Sequence, residues 1–125
     1  MGKLKEIVID ADLPSRLAKF WAAAIEGYAI RAYDDKEVAR LASLGLTPET
    51  DPSVMVDGPG PTICFQQLTG PRPWRNRVHL DILSPDRPAE VARLLALGAT
   101  PMREANGYTV LRDPEGNQFC VVDAD

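Results

Sequence analysis

Residues 4–68 and 77–123 read as one order of elements used twice: a strand, a helix, then three strands. That duplication narrows the fold more than any other property of the chain. In the first half, the apolar run Ile7, Val8 and Ile9 predicts a strand over residues 4–10. A helix follows, with Asp12 as its predicted N-cap and Pro14 in the first turn, where a missing N–H costs nothing. Leu13, Leu17, Phe20, Trp21, Ala24 and Ile25 recur at helical spacing, which predicts a face packed on a sheet and closed by Gly27. Strands are predicted over 28–33, 53–56 and 62–68, with DGPGP (57–61) as the turn before the last. Between the first two, Asp34 or Asp35 caps an inserted helix bearing Val38, Leu41 and Leu44 and ended by Gly45.

The segment TGPRPW (69–74) carries two prolines and a glycine and reads as the link between the halves. Beyond it, a strand over 77–83 leads to a helix capped by Asp86 and stopped by Gly98, with Val91, Leu94 and Leu95 on its buried face. Strands over 100–104, 108–112 and 118–123 follow, the last two joined by DPEGN (113–117). In that turn Pro114 presets φ, Gly116 and Asn117 tolerate positive φ, and the Asp113 carboxylate can cap. Setting Asp12 against Asp86 places Lys5 opposite His79 and Ile7 opposite Asp81. A second echo, EVARLASLGLTP (37–48) against EVARLLALGATP (90–101), reflects similar helix-stop chemistry, and a true repeat stays open.

At 125 residues the chain is long enough for one sound core and too short for two domains. A net charge of −4 argues against a nucleic-acid footprint and leans weakly toward cationic ligands, solubility being the simpler reading. No stretch has the apolar length of a signal peptide or a membrane span, so no membrane association and a cytoplasmic location are expected. Cys64 and Cys120 lie far apart without a CxxC pattern, and free thiols are expected there.

His79 is the only histidine, and Arg77 and Asp81 share its face of a strand by period-two alternation. His79 and Asp81 could form a general base with its orienting carboxylate, or His79 could simply hydrogen-bond in a polar pocket. Cys64, Cys120 and His79 could hold a soft metal, against the alternative of two thiols filling core space. Trp74, Tyr28, Tyr33, Tyr108 and Phe65 could line an apolar pocket; Trp74, on the link, is the best stacking candidate, whereas Trp21 sits on a core face. Arg75 and Arg77 could clamp an anion or form salt bridges. No Ser/His/Asp elbow, P-loop or GxGxxG supports a hydrolase, an NTPase or a dinucleotide enzyme.

Taken together, the twice-used βαβββ order, FWAAAIEGY (20–28), CFQQL (64–68), NRVHLD (76–81), LGAT (97–100) and DPEGNQFCVV (113–122) resemble the vicinal oxygen chelate superfamily. The likeness is to its glyoxalase-like branch, common in bacteria; the superfamily includes glyoxalase I, extradiol dioxygenases, epimerases and the bleomycin- and fosfomycin-resistance proteins. The resemblance implies a single α+β domain over 1–125, two βαβββ modules (about 1–70 and 75–125) curled into an incomplete barrel with the helices outside, and a homodimer. On that fold Ile9, Val78, Leu80, Ile82, Phe119 and Val121 are expected on the helix-facing side.

The resemblance also implies a divalent metal held by a His/Glu/His/Glu set from the first and last strands of each half. Carried over, those positions fall on Lys5 (or Glu6 with a one-residue slip), Gln66 or Gln67, His79 and Cys120. His79 alone matches: a charged lysine has no lone pair and glutamine offers only a neutral carbonyl. The expectation is therefore a small-molecule site on the concave sheet face, formed by Gln66, Trp74, Arg77, His79, Tyr108 and Cys120, which binds or sequesters its ligand without a metal cofactor. The alternative is a lyase or isomerase using His79 as base and Asp81 to orient it, with or without a divalent ion.

Overall fold

The computed structural model describes residues 1, 3–71 and 78–124. The chain divides into two compact units, Met1–Pro71 and Arg72–Asp125. The first runs β1 (Glu6–Ala11), α1 (Pro14–Ala24), β2 (Ala29–Ile30), α2 (Asp35–Ser43), β3 (Ser53–Asp57) and β4 (Thr62–Gln67). The second runs β5 (Asp81–Ser84), α3 (Arg87–Ala96), β6 (Thr100–Ala105), β7 (Tyr108–Arg112) and β8 (Gln118–Asp123). Each unit forms one four-stranded mixed sheet, ordered β1-β4-β3-β2 and β5-β8-β7-β6. In each, the first strand lies parallel to the last and the remaining pairs are antiparallel. The fold is α+β, built from two βαβββ-like modules with α2 inserted in the first. Among the described residues no helix is long and apolar enough to cross a membrane.

Alternation along the strands decides which side packs. In the first unit Val54, Val56, Ile63 and Phe65 are buried, and α1 covers β3 and β4 with Leu17, Phe20, Trp21 and Ala24. Phe20 and Trp21 meet edge to face, centroids 5.2 Å apart, which suits the ring quadrupoles. In the second unit α3 rests on β7 and β8, and Leu94, Leu111, Phe119 and Val121 are fully buried. Of the predicted helix-facing residues, Phe119 and Val121 are buried, Ile9, Leu80 and Ile82 are half-buried, and Val78 is exposed.

Several boundaries differ from the sequence reading, each for a local reason. Pro14 occupies the first helical turn of α1, so the residue before it, Leu13, becomes the N-cap in place of Asp12 and supplies no capping side chain. Asp34 and Asp86 do cap their helices, accepting from Glu37 N at 2.8 Å and from Ala89 N at 3.1 Å. β2 is only two residues long rather than spanning 28–33; Tyr33 turns instead to Asp51, donating its hydroxyl to Oδ2 at 2.9 Å. Of the three apolar positions on α2, Leu41 alone is buried, while Val38 and Leu44 are exposed; on α3 Leu94 is buried and Leu95 is exposed. Periodicity gives the direction of an apolar stripe, but the element opposite decides how much of it is covered. β5 begins at Asp81 rather than 77, so His79 stands two residues ahead of the strand instead of in its middle. As an edge strand β5 has one neighbour, and its first ladder bond runs from Cys120 N to Leu80 O at 3.0 Å.

Two turns hold these sheets. In DPEGN, Asp113 Oδ1 accepts from Glu115 N and Asn117 N, each at 2.9 Å, and Oδ2 accepts from the Asn117 side chain at 2.9 Å. Gly116 takes the positive φ (85°), and no described non-glycine residue, Asn117 included, does so. In DGPGP the ring of Tyr28 lies over the glycines. A Cβ on Gly58 would sit 2.4 Å from that ring, and the Tyr28 hydroxyl donates to Pro61 O at 2.9 Å.

At the end of β3, Arg31 donates Nε and Nη2 to the two oxygens of Asp57 at 2.8 and 2.9 Å, and Thr62 Oγ1 donates to Asp57 at 2.7 Å. Those bonds hold the Asp57 carboxyl down at about 2 from an ordinary 3.8. A depressed carboxyl adds stability above its ordinary pKa and loses it as pH falls through the folded value. Both side chains are about half exposed (56% and 42%), so screening leaves less than about 1 kcal/mol. Asp57→Asn is expected to cost up to that much in urea denaturation at neutral pH. The difference from wild type should shrink steadily as pH is lowered from 3.8 toward about 2.

Candidate functional site

Chemistry-bearing side chains gather on the face of the second sheet opposite α3. The parallel register sets Asp81 beside Cys120, and His79, two residues ahead of β5, reaches Asp81 with its ring. The antiparallel β7–β8 register adds Tyr108, paired with Val122, to that face. The His79 and Asp81 side chains lean together, Nε2 lying 3.3 Å from Oδ1, although both are more than half exposed. Donor atoms of His79, Asp81 and half-buried Cys120 all lie within 4.8 Å of one another.

The Cys120 thiol is pushed up by burial first, then by the neighbouring Asp81 charge and by a hydrogen bond to Asp81, while Arg103 opposes the rise. These influences favour the protonated thiol, a weaker nucleophile than a thiolate. Arg103 also lies over the Tyr108 ring at 5.6 Å. Arg103 escaped the sequence reading because a register shift between Pro101 and Arg103 decides its partner, Val110. Pro101, which has no N–H to give the ladder, was the available signal.

The other predicted site residues separate. Trp74, Arg75 and Arg77 fall outside the described residues. Tyr28 is committed to its turn and Tyr33 to Asp51; burial and that bond raise the Tyr33 hydroxyl well above its ordinary value. Phe65 is fully buried core. Gln66 is exposed, on the face of the first sheet that also carries its register partners Asp10 and Ser53. Gln67, one residue on, has the opposite parity, and its N–H donates to Pro52 O at 2.8 Å. Cys64 is buried in the first sheet with its Sγ 3.5 Å from Ser53 Oγ, so the third donor beside His79 and Cys120 is Asp81. Both cysteines are free.

The internal match also moves by one residue. β1 ends at Ala11, three before α1 starts, and β5 ends at Ser84, three before α3 starts. Ala11 thus corresponds to Ser84, and Glu6, not Lys5, to His79. The displacement of the cap from Asp12 to Leu13 is the cause. The ladders then carry Val8 and Cys64 onto Asp81 and Cys120.

A hard divalent ion of the kind the resemblance implies wants carboxylates and imidazoles. Here the cluster in the second unit offers one imidazole, one carboxylate and one thiol. In the first unit the corrected match puts Glu6, a half-buried carboxylate, and Cys64, a buried thiol, at the equivalent positions, with Lys5 an exposed ammonium beside them. This donor chemistry does not fit a His/Glu centre.

A family model described as a glyoxalase-like domain matches residues 6–122. Solved structures share the fold at low identity. A glyoxalase/bleomycin resistance protein from Albidiferax ferrireducens is 19% identical, with 97% of this chain and 98% of that one covered and a TM-score of 0.58. A fosfomycin resistance protein from Mesorhizobium loti is 12% identical, covering 100% and 94%, with a TM-score of 0.68. A glyoxalase family protein from Bacillus cereus is 17% identical, covering 98% and 94%, with a TM-score of 0.61. No curated protein sequence matches the chain.

Proposed function

The chain belongs to the glyoxalase-like domain family, and from that premise we propose that it binds a small molecule on the His79–Asp81–Cys120 face without the hard-metal centre of the metal-using members. The donor set carries this reading. A thiol stands beside Asp81, where a hard ion would call for a carboxylate. Tyr108, with Arg103 over its ring, supplies an aromatic surface next to these polar groups, the usual make-up of a ligand site. Gln66, Trp74 and Arg77 complete the proposed set on the sequence reading alone. Two free cysteines support a cytoplasmic setting, and the family resemblance supports a homodimer.

The test is a ligand panel screened by thermal shift and calorimetry in the presence of chelator. Bleomycin and fosfomycin belong in it, because structures sharing this fold are described as resistance proteins for those drugs. The expected result is a compound that binds, is recovered unchanged, and loses at least about tenfold in affinity in His79→Ala and in Tyr108→Ala. Failure of the whole panel to bind, while the pure protein turns over a substrate, refutes it.

One observation favours a second reading: the 3.3 Å contact that lets Asp81 orient His79 as a general base for a lyase or isomerase. Chemical conversion of a bound compound in chelator, abolished by His79→Gln, decides for that reading.

A further inference from the structure

We propose that the β6–β7 side of the second sheet is an anion subsite, where Arg103 grips the carboxylate of a small organic acid and Arg112 strengthens the field around it. This rests on the binding reading above and deepens it by naming the class of ligand.

Pairing sets two arginines apart. Arg31, Arg40, Arg87 and Arg93 each turn Nε to a carboxylate at 2.8–3.0 Å. Arg103 and Arg112 have no carboxylate partner among the described residues, although the chain carries a net charge of −4. Both are exposed, and both belong to the face opposite α3. Thr109 and Leu111 are buried on the α3 side, so alternation along β7 turns Tyr108, Val110 and Arg112 the other way. Arg103, just past the register shift, is the ladder partner of Val110 and joins that face. Glu104 goes to the α3 side, where it accepts from Thr109 Oγ1 at 3.3 Å. Alternation thus sends the carboxylate next to Arg103 in sequence to the other side of the sheet.

Register arranges the rest. One row runs across all four strands: Asp81 on β5, Cys120 on β8, Val110 on β7 and Arg103 on β6. With strands about 4.8 Å apart, its two charged ends stand about 14 Å apart at Cα. The next row is Leu83, Val122, Tyr108 and Ala105. The face is therefore polarised, negative at β5 and positive at β6, over an apolar and aromatic middle. Arg103 lies over the Tyr108 ring at 5.6 Å and its charge is felt at Cys120, so the guanidinium leans inward. A guanidinium held against a ring keeps its edge N–H donors free, and that fork matches the two oxygens of a carboxylate. Asp81 repels the carboxylate from the β5 edge. The body of the acid then lies over Val110, Val122 and Tyr108, with its far end toward His79.

The experiment gives the full chain a fragment set in chelator. Each alkyl or arylalkyl skeleton, from propanoate to phenylbutanoate, is present as carboxylate, primary amide and amine. Saturation-transfer NMR and thermal shift read binding, and the arginine Nε–Hε resonances locate it. Expected are carboxylates that bind at least about tenfold tighter than the matched amide and amine, with a shift of the Arg103 resonance. Arg103→Gln is expected to remove that preference, and Arg103→Lys to keep part of it, since a point charge survives without the fork. Arg112→Gln, acting from about 10 Å, is expected to weaken the carboxylate about twofold, a loss that salt at about 1 M erases. Both positions are exposed, so the variants are expected to fold, which circular dichroism checks. Amides or amines that bind as well as carboxylates, a carboxylate preference that survives Arg103→Gln, or no carboxylate binding overturns the inference. An amide or amine that binds and is lost in Tyr108→Ala would then leave the binding reading standing, so the two failures are distinguishable.

Discussion

Phe119→Ala is expected to cost about 3–5 kcal/mol and to take the candidate site with it. Phe119 is 1% exposed, is paired with Leu111 across the β7–β8 ladder, and belongs to the core that α3 covers. Removing the ring forfeits its transfer free energy and leaves a cavity that two sheet strands and a helix cannot fully close. Few other large side chains share the load: on α3, Leu94 is fully buried, whereas Leu95 and Leu97 reach solvent. The next residue is Cys120, so loosening β8 also loosens the register that brings Cys120 to Asp81. Urea denaturation reads the stability. Binding of a compound found by the ligand panel, at temperatures where the variant is still folded, reads the site. A loss below about 1 kcal/mol would mean that the core of this unit does not depend on Phe119.

Asp113→Ala comes next, at about 2–4 kcal/mol. Asp113 is 2% exposed, and its carboxylate gathers the amides of Glu115 and Asn117 and the Asn117 side chain. Alanine strips the acceptor from donors that lie partly out of water, and an unmet donor costs more than the bond it made. The turn joins β7 to β8, so its loss acts on the strand pair that carries Tyr108 and Cys120. Asp113→Asn is the informative companion. Its amide oxygen can keep the two backbone bonds, and a flip of the Asn117 amide can meet the new N–H, so a loss of about 1 kcal/mol or less is expected. Equal destabilisation by alanine and asparagine in urea melts would show that charge, rather than hydrogen-bond acceptance, holds the turn.

The turn and the core show where the sequence was legible. Pro114 and Gly116 each have a local backbone reason to stand where they do, so DPEGN could be placed without knowing the rest of the molecule. The same holds for the caps Asp34 and Asp86, whose carboxylates act on amides three residues away. Asp12 misled because two local rules compete there: a good capping side chain, and a proline that forces the cap onto the residue before it. The proline prevails because its ring geometry is covalent. That single residue carried forward into the internal match and set Lys5, rather than Glu6, against His79.

The candidate site was legible in part, and for the same kind of reason. Parity along an expected strand set Asp81 on the face of His79, and the two do meet although His79 lies ahead of β5. That the pair touches at 3.3 Å, with Cys120 as the third donor, depends on a ladder between segments 39 positions apart, which no local rule supplies. Arg103 depends on a bulge in yet another strand.

By itself, then, the sequence determined the order of the elements, the repeated βαβββ modules, the turns that separate them and the residue types available for chemistry. Backbone dihedral preferences and side-chain periodicity act within a few residues, so they can be read along the chain. Tertiary structure alone decided which donors meet, because register and burial are set jointly by strands far apart in sequence. It turned a lone histidine into one corner of a His79–Asp81–Cys120 cluster, and it committed Tyr28, Tyr33 and Phe65 to holding the fold.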